Sequence, residues 1–408
     1  MKVKISNMDN FVELYAKDET QRSIGYYKLD NIYLTGRNSY YPNVLLYQCG
    51  KLMNPYDEMV MSLGKKSFYN DEYDINMIDP VSSYEIPVFF FIYNFDNYYH
   101  FLYDTLPYLF TYLELKKTIP KLKILINYPN ETNIFYKFNL EFLSKLIHID
   151  DMIFLNHSTI YTEMYVSTSL THGGHSNNPP RKEIFQIYDM LKNNIIFSNI
   201  NEKYKDLKYI YISRRTWINK DSSNIGTDYT TRRKMMNEDA LVETLNHKGF
   251  IEIFAENLNT DEKIFVFSNA TMIVGAIGGG MANLLFSGSH IKSIIIETPY
   301  FLDINYRFKY SMEHTQILYM PDVITYKNEN KIPLYCRVKI NETEMIGEIS
   351  DYNIKDNMYL INLSNGVAGF NNKASFKNDW FSSNSFELLD NGLNSPYIIS
   401  IDSLLEIL

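Results

Sequence analysis

MIVGAIGGGMANLLFSGSHIKSIIIE, residues 272–297, carries the reading of the whole chain. Met272 to Ala276 has the length and composition of a buried strand. Gly275 and the run Gly278, Gly279 and Gly280 break it. Met281, Ala282, Leu284, Leu285 and Phe286 then fit one or two turns of helix, and Ser293 to Ile296 is a second apolar run that ends in Glu297. Strand, glycine turn, helix, strand is half of a doubly wound sheet. Glycines let the backbone approach a ligand closely, and the helix start beyond them offers free N–H groups and partial positive charge to an anion such as a pyrophosphate. The same glycines also suit a plain tight turn. The dinucleotide fingerprint GxGxxG is incomplete, because Met281, Ala282 and Asn283 stand where the third glycine is needed. That argues against a nicotinamide-dependent oxidoreductase.

Upstream, Tyr209 to Ile212 reads as a strand ending in Ser213, Arg214 and Arg215. A helix over Asp239 to His247 is stopped by Gly249, and a strand over Ile251 to Phe254 and a helix over Asp261 to Phe267 lead into the opening stretch. Arginines at the carboxyl end of a first strand point into the ligand crevice of such a sheet and can clamp phosphate. Arg214, Arg215 and Arg233 are therefore anion-binding candidates, together with Gly278, Gly279 and Gly280. Glu297, at a strand end, is placed to hold ribose hydroxyls.

The first half repeats the alternation. Val88 to Tyr93 is a buried-strand candidate, and apolar residues at 98, 101, 102, 106, 109, 110 and 113 predict a helix after it. His100 and Asp104 lie one turn apart on that helix. A carboxylate beside an imidazole fixes its tautomer and supports general-base work, and it is also a common structural pair. Further strands are predicted over 123–127, 152–155 and 164–167, with a helix over 135–146. His172 and His175 have metal-pair spacing but no third ligand nearby. The polar residues 199–206 suit a linker. From residue 331 the sequence alternates apolar and polar residues around turns, as in a small antiparallel β module.

Composition narrows the function classes. A net charge of −9 argues against nucleic acid as the main partner. Two cysteines, Cys49 and Cys336, make no disulfide framework and suit a reducing compartment. The amino-terminal residues lack a signal-peptide core, and no apolar run is long enough to span a membrane. A cytoplasmic location is the expectation.

Five segments in this order resemble glycosyltransferase family 61, the group of eukaryotic O-linked GlcNAc- and xylosyltransferases and bacterial capsule enzymes. They are Asn97-x-x-His100-Phe-x-x-Asp104-x-Leu-Pro107, Ile212-Ser213-Arg214, Arg233-x-x-x-Asn237-Glu238, Gly275-x-x-Gly278-x-Gly280-x-x-Asn283-Leu-Leu-Phe286, and Ile296-Glu297. The resemblance implies an α/β protein of GT-B type, with two Rossmann-like domains facing across a cleft. An acceptor domain over 1–200 and a nucleotide-sugar domain over 201–330 follow, while the β-rich module over 331–408, read from its own alternation, lies outside the resemblance. The resemblance implies inverting transfer from a UDP-sugar to a glycan or protein hydroxyl, with the nucleotide sugar as co-substrate and no separate cofactor. The expected sites are His100 and Asp104 for catalysis, either of them as the base. Arg214, Arg215, Arg233, Gly278, Gly279, Gly280, Asn283 and Glu297 are expected to bind the donor. No Asp-x-Asp motif stands in a suitable place, so metal-independent turnover is expected. One departure stands out: Ile277 occupies the position of the family's usual glycine-loop histidine. The rival expectation is a non-catalytic nucleotide- or glycan-binding protein that has kept the fold.

Overall fold

The computed structural model describes residues 2–35, 45–55, 72–74, 82–93, 97–127, 134–156, 158–171, 179–215, 233, 235–299, 302–310, 312, 316–321, 332, 336–343, 345–353, 355–364, 377–390 and 397–408. His172, His175 and the loop Trp217 to Tyr229 fall outside them. The described chain is mixed α/β and forms three sheets.

The second sheet is the one the glycine stretch predicts. Its five strands run in the spatial order Ile251–Ile253, Tyr209–Ile212, Met272–Ala276, Lys292–Ile296, Ile317–Tyr319, and every pairing is parallel. The second strand in sequence lies outside the first and the later ones add on the other side, so the order reverses between Tyr209–Ile212 and Met272–Ala276. Met272–Ala276 is buried throughout and Tyr209–Ile212 from Ile210 onward, as suits a parallel sheet covered on two faces. Helices Glu238–His247 and Thr260–Asn269 are the crossovers. The latter opens on a capping box, in which Asn259 and Glu262 satisfy each other's backbone N–H groups.

The first sheet has eleven strands and is only partly parallel. Strand–helix alternation begins at Val88, where Met152–Phe154, Lys123–Ile126, Val88–Phe90 and Thr159–Ser167 pair parallel in that order. The long strand Ile24–Thr35 then adds antiparallel to Thr159–Ser167, and other strands before Val88 extend that edge. A Rossmann-like pattern from residue 1 is thus narrowed to the segment that starts at Val88.

One hydrophobic core runs through both halves. The turn Gly279–Phe286 is a tight 3-10 helix, not an amphipathic α-helix, and Met281 to Phe286 are buried all round. An apolar segment with no polar face must be enclosed. Phe286 stacks on Phe142, with centroids 5.6 Å apart, and meets Tyr188 edge-on at 6.0 Å. Both partners come from helices of the first half, Ile134–Ser144 and Ile184–Asn193. Residues 199–206 do not behave as a free linker. Asn199 and the Ile196 N–H donate to Asp261, which also pairs with Lys145 at 2.6 Å.

The carboxyl-terminal region divides. Strands between Arg337 and Asp390 make a five-stranded antiparallel sheet around its own small core. Residues 397–408 leave it: Tyr397, Ile399 and Leu404 pack against the parallel sheet in a cluster with Leu241, Val274 and Ile296. Asn237 clasps Ile399 through both backbone groups. These last twelve residues thus pack with the parallel sheet and not with the antiparallel strands before them.

Candidate functional site

Two groups of side chains flank the glycine turn. The first sits where the strand order reverses. Arg214 leaves the end of Tyr209–Ile212, and its guanidinium donates to the Ile277 carbonyl at 2.9 Å, bridging the two central strands. A side-chain carbon built on Gly278 would touch that guanidinium at 3.6 Å. Nothing lies within 4 Å of the same position on Gly279. Gly275 and Gly280 are instead required by packing. An added Cβ would come within 2.5 Å of the Met281 sulfur at Gly275, and within 2.9 Å of Ile212 at Gly280. The open part of the turn is thus at Gly278 and Gly279, beside Arg214.

Glu238, at the first turn of its helix, fixes this strand end. One carboxylate oxygen accepts from the Arg214 N–H at 2.9 Å and from the Tyr211 hydroxyl at 2.9 Å. Burial pushes its carboxyl above the usual range, while those two hydrogen bonds oppose the rise. Arg233 has a positive φ of 53°. Burial raises the Tyr397 phenol above its usual range, and the positive charges of Arg214 and Arg233 oppose the rise.

Arg215 points elsewhere. Its guanidinium pairs bidentately with Glu252, at 3.0 and 2.8 Å, and with Asp239 at 2.6 Å. Asn283 is also committed: it is fully buried, accepts from Tyr98 Oη at 2.5 Å and donates to the Gly280 carbonyl at 2.8 Å. Glu297 is buried, and burial raises its carboxyl above the usual range with Lys309 opposing. Ile277 is 1% exposed and lies in the core.

The second group follows the strand Val88–Phe90. Asn97 caps the helix start by accepting from the His100 N–H at 3.1 Å. The expected regular helix is distorted. Tyr98–His100 is α-helical, Phe101–Thr105 widens into a π-turn closed by the Leu106 N–H on the Phe101 carbonyl, and a 3-10 turn at Leu106–Tyr108 leads into the α-helix Leu109–Thr118. Pro107 explains this, because it lacks the N–H an α-helix needs there and its ring would clash with the preceding turn. Such π-turns often mark functional sites. Here it brings His100 Nδ1 to 2.5 Å from Asp104 Oδ2, with the Asp104 side chain at 0% exposure and His100 at 24%. Arg307, from the helix Leu302–Lys309, places Nη1 3.3 Å from the same oxygen.

The structure thus brings Arg214 to the glycine turn and joins His100 to Asp104. The Tyr98–Asn283 hydrogen bond ties the two groups together. In the sequence neither Arg307 nor Tyr98 is named as a site residue, and Glu238 has no role beyond its place in the family motif. Glu238 has a signal in hindsight, as an acid at a helix start next to a strand-end arginine, whereas Arg307 has none. Among the described residues, no three His, Cys, Asp or Glu side chains are placed to hold a metal ion, and no helix is long and apolar enough to cross a membrane.

The parallel sheet, in the order 2-1-3-4-5, makes this a doubly wound α/β protein, a class that binds ligands at the point of reversal. Residues 98–295 match the sequence model of the family Glycosyltransferase 61, so this segment, just under half of the chain, is similar to that family of glycosyltransferases. The matched segment holds both groups of side chains except Asn97, Glu297 and Arg307. No curated protein gives a significant match to the chain.

Proposed function

We propose that this chain is an inverting, metal-independent glycosyltransferase of GT-B organisation, moving a sugar from a UDP-sugar to a hydroxyl of a glycan or protein. The observation that carries the reading is the Arg214 guanidinium lying over Gly278 at the sheet's reversal point. There it can neutralise a leaving diphosphate, together with the open backbone at Gly278 and Gly279 and with Arg233. Glu297 takes the ribose hydroxyls. Arg215 and Asn283 support the site through their own partners and do not touch the donor. Across the turn, His100 with Asp104 accepts the proton of the acceptor hydroxyl as that oxygen attacks the anomeric carbon from the face opposite the diphosphate. Pairing of Nδ1 with Asp104 assigns the ring proton to Nδ1 and makes Nε2 the basic nitrogen. The nucleotide sugar is a co-substrate, no further cofactor is needed, and the working location is the cytoplasm.

A thermal-shift comparison of UDP and NAD tests the donor. UDP at a hundred times its dissociation constant should stabilise the protein by ~2.7 kcal/mol. Stabilisation by NAD and not by UDP overturns the reading. Transfer should persist in excess EDTA, and a loss restored by magnesium or manganese overturns metal independence. The second reading, a binding protein without turnover, is favoured by Ile277, whose side chain is turned into the core. UDP binding with no transfer from any member of a UDP-sugar panel to any glycan offered would select it.

A further inference from the structure

Arg307 belongs to the half of the chain that carries Glu297, yet its guanidinium lies against the His100–Asp104 pair of the other half. Nη1 is 3.3 Å from Asp104 Oδ2 and 3.4 Å from His100 Nδ1. A guanidinium only donates, so Arg307 and the Nδ1–H both aim at Oδ2, and the 3.4 Å approach is between two donors. The Asp104 side chain is 0% exposed and that of Arg307 15%. Tyr99, Tyr103 and Tyr188 surround the pair, and burial keeps all three phenols neutral. The charges of Arg307 and Arg22 favour the ionised Tyr103 phenol and those of Asp104 and Tyr310 oppose it, and Arg22 donates to the Pro179 carbonyl. The helix that carries Arg307 is tied to the strand end before it. Asn305 accepts from the Thr298 N–H at 3.1 Å and donates to the Thr298 carbonyl at 2.8 Å, next to Glu297.

We propose that Arg307 is a positioning residue through which the donor half sets the proton arrangement of the base. It keeps Asp104 a carboxylate. The carboxylate accepts from Nδ1–H, and Nε2 is left to take the acceptor proton. The Asn305 clasp ties the helix of Arg307 to Thr298, next to Glu297, so occupancy of the donor site is felt at the imidazole. This rests on the reading of His100 as the base. Without Arg307, a carboxylate with no solvent contact faces a neutral ring. Taking away that cation raises the cost of the buried charge, and protonation relieves it. Asp104 then takes one proton from solvent and donates it to Nδ1. The ring loses its Nδ1 proton and gains one at Nε2 through solvent, which removes the basic nitrogen from the acceptor side.

The test uses the full chain with 15N-labelled histidine, with His100→Ala to assign the ring signals, at about pH 8, where an ordinary imidazole is neutral. The expected result is the Nδ1–H tautomer in the wild type, the Nε2–H tautomer in Arg307→Ala, and the wild-type pattern restored in Arg307→Lys. If Arg307→Ala does not fold, Arg307→Gln keeps the packing without the charge and takes its place. Saturating UDP should move the His100 signals in the wild type and leave them unmoved in the variant, with UDP affinity by calorimetry unchanged. A wild-type tautomer in the uncharged variant overturns the proposal, as does a wild-type His100 that does not respond to bound UDP. If UDP binds neither protein while the tautomer still switches, the donor assignment fails and the role of Arg307 in the pair stands.

Discussion

The two large sheets deliver their side chains to the site by different means. In the parallel sheet, topology does the placing. Arg214 and the glycine turn leave neighbouring strands at the point where the order reverses, and any sheet wound this way would bring those ends together. In the mixed sheet, placement depends on one distorted helix. His100 and Asp104 meet through a π-turn ahead of Pro107, not at a strand end. The first arrangement tolerates local change, and the second depends on a few backbone hydrogen bonds.

The largest expected effect tests whether the parallel sheet stands without its tail. Ending the chain at residue 396 strips Tyr397, Ile399 and Leu404, all buried, from its face. At about 1.5–3 kcal/mol for each such side chain, the loss is comparable to the whole stability of an ordinary domain. Calorimetry should show no cooperative transition for this sheet. A truncated chain that melts like the wild type and still binds UDP would break the comparison.

Next is the distorted helix. Asp104→Asn should lower transfer by about a hundredfold or more. UDP stabilisation should be kept, because the parallel sheet is untouched. Wild-type turnover in Asp104→Asn or His100→Ala would remove that residue from the chemistry.

The seam between the halves comes third. Lys263 is 3% exposed, lies 3.8 Å from the Phe138 ring centroid and donates to the Leu258 carbonyl. Burial lowers its pKa from 10.5 to about 8, with Glu141, Glu256 and Glu262 opposing. Between those values the unfolded chain binds the extra proton, so stability rises with pH across about 8 to 10.5. Below that window the buried ammonium is a standing cost. Lys263→Met should therefore stabilise the protein at neutral pH by on the order of 2 kcal/mol and flatten the rise above pH 8. Chemical denaturation at several pH values would show it, and a destabilised variant would mean that the cation–π contact outweighs burial.

The smallest effects separate two adjacent arginines. Arg214→Ala should weaken UDP binding by about tenfold, as for loss of a charged hydrogen bond. Arg215→Ala should leave UDP binding alone and cost about 1 kcal/mol of stability, since its partners are Glu252 and the exposed Asp239. Titration calorimetry and denaturant melts distinguish the two, and equal losses of UDP affinity would return Arg215 to the donor site.

Much of the parallel sheet is legible in the sequence, because apolar runs alternating with helical spacing leave little choice of topology. The strand Met272–Ala276 falls where its composition puts it. Arg215 shows where such reading ends. Successive side chains leaving a strand face opposite ways, and Glu252 waits 37 residues on. Asn283 looks like a ligand group on a loop but is a buried tie to Tyr98, 185 residues away. Arg307 meets Asp104 across 203 residues, with no periodicity or motif to announce it. The docking of residues 397–408 is hidden for the same reason: a few apolar residues ahead of and within a six-residue helix carry no address for the surface they cover.

Phe286 has a mechanical consequence. Lodged between Phe142 and Tyr188, it works as a bolt through both jaws of a vice, and a bolted vice does not swing. On the proposed function, a donor would then enter and leave by shifts of single turns and side chains, so small-angle X-ray scattering should give the same radius of gyration with and without UDP.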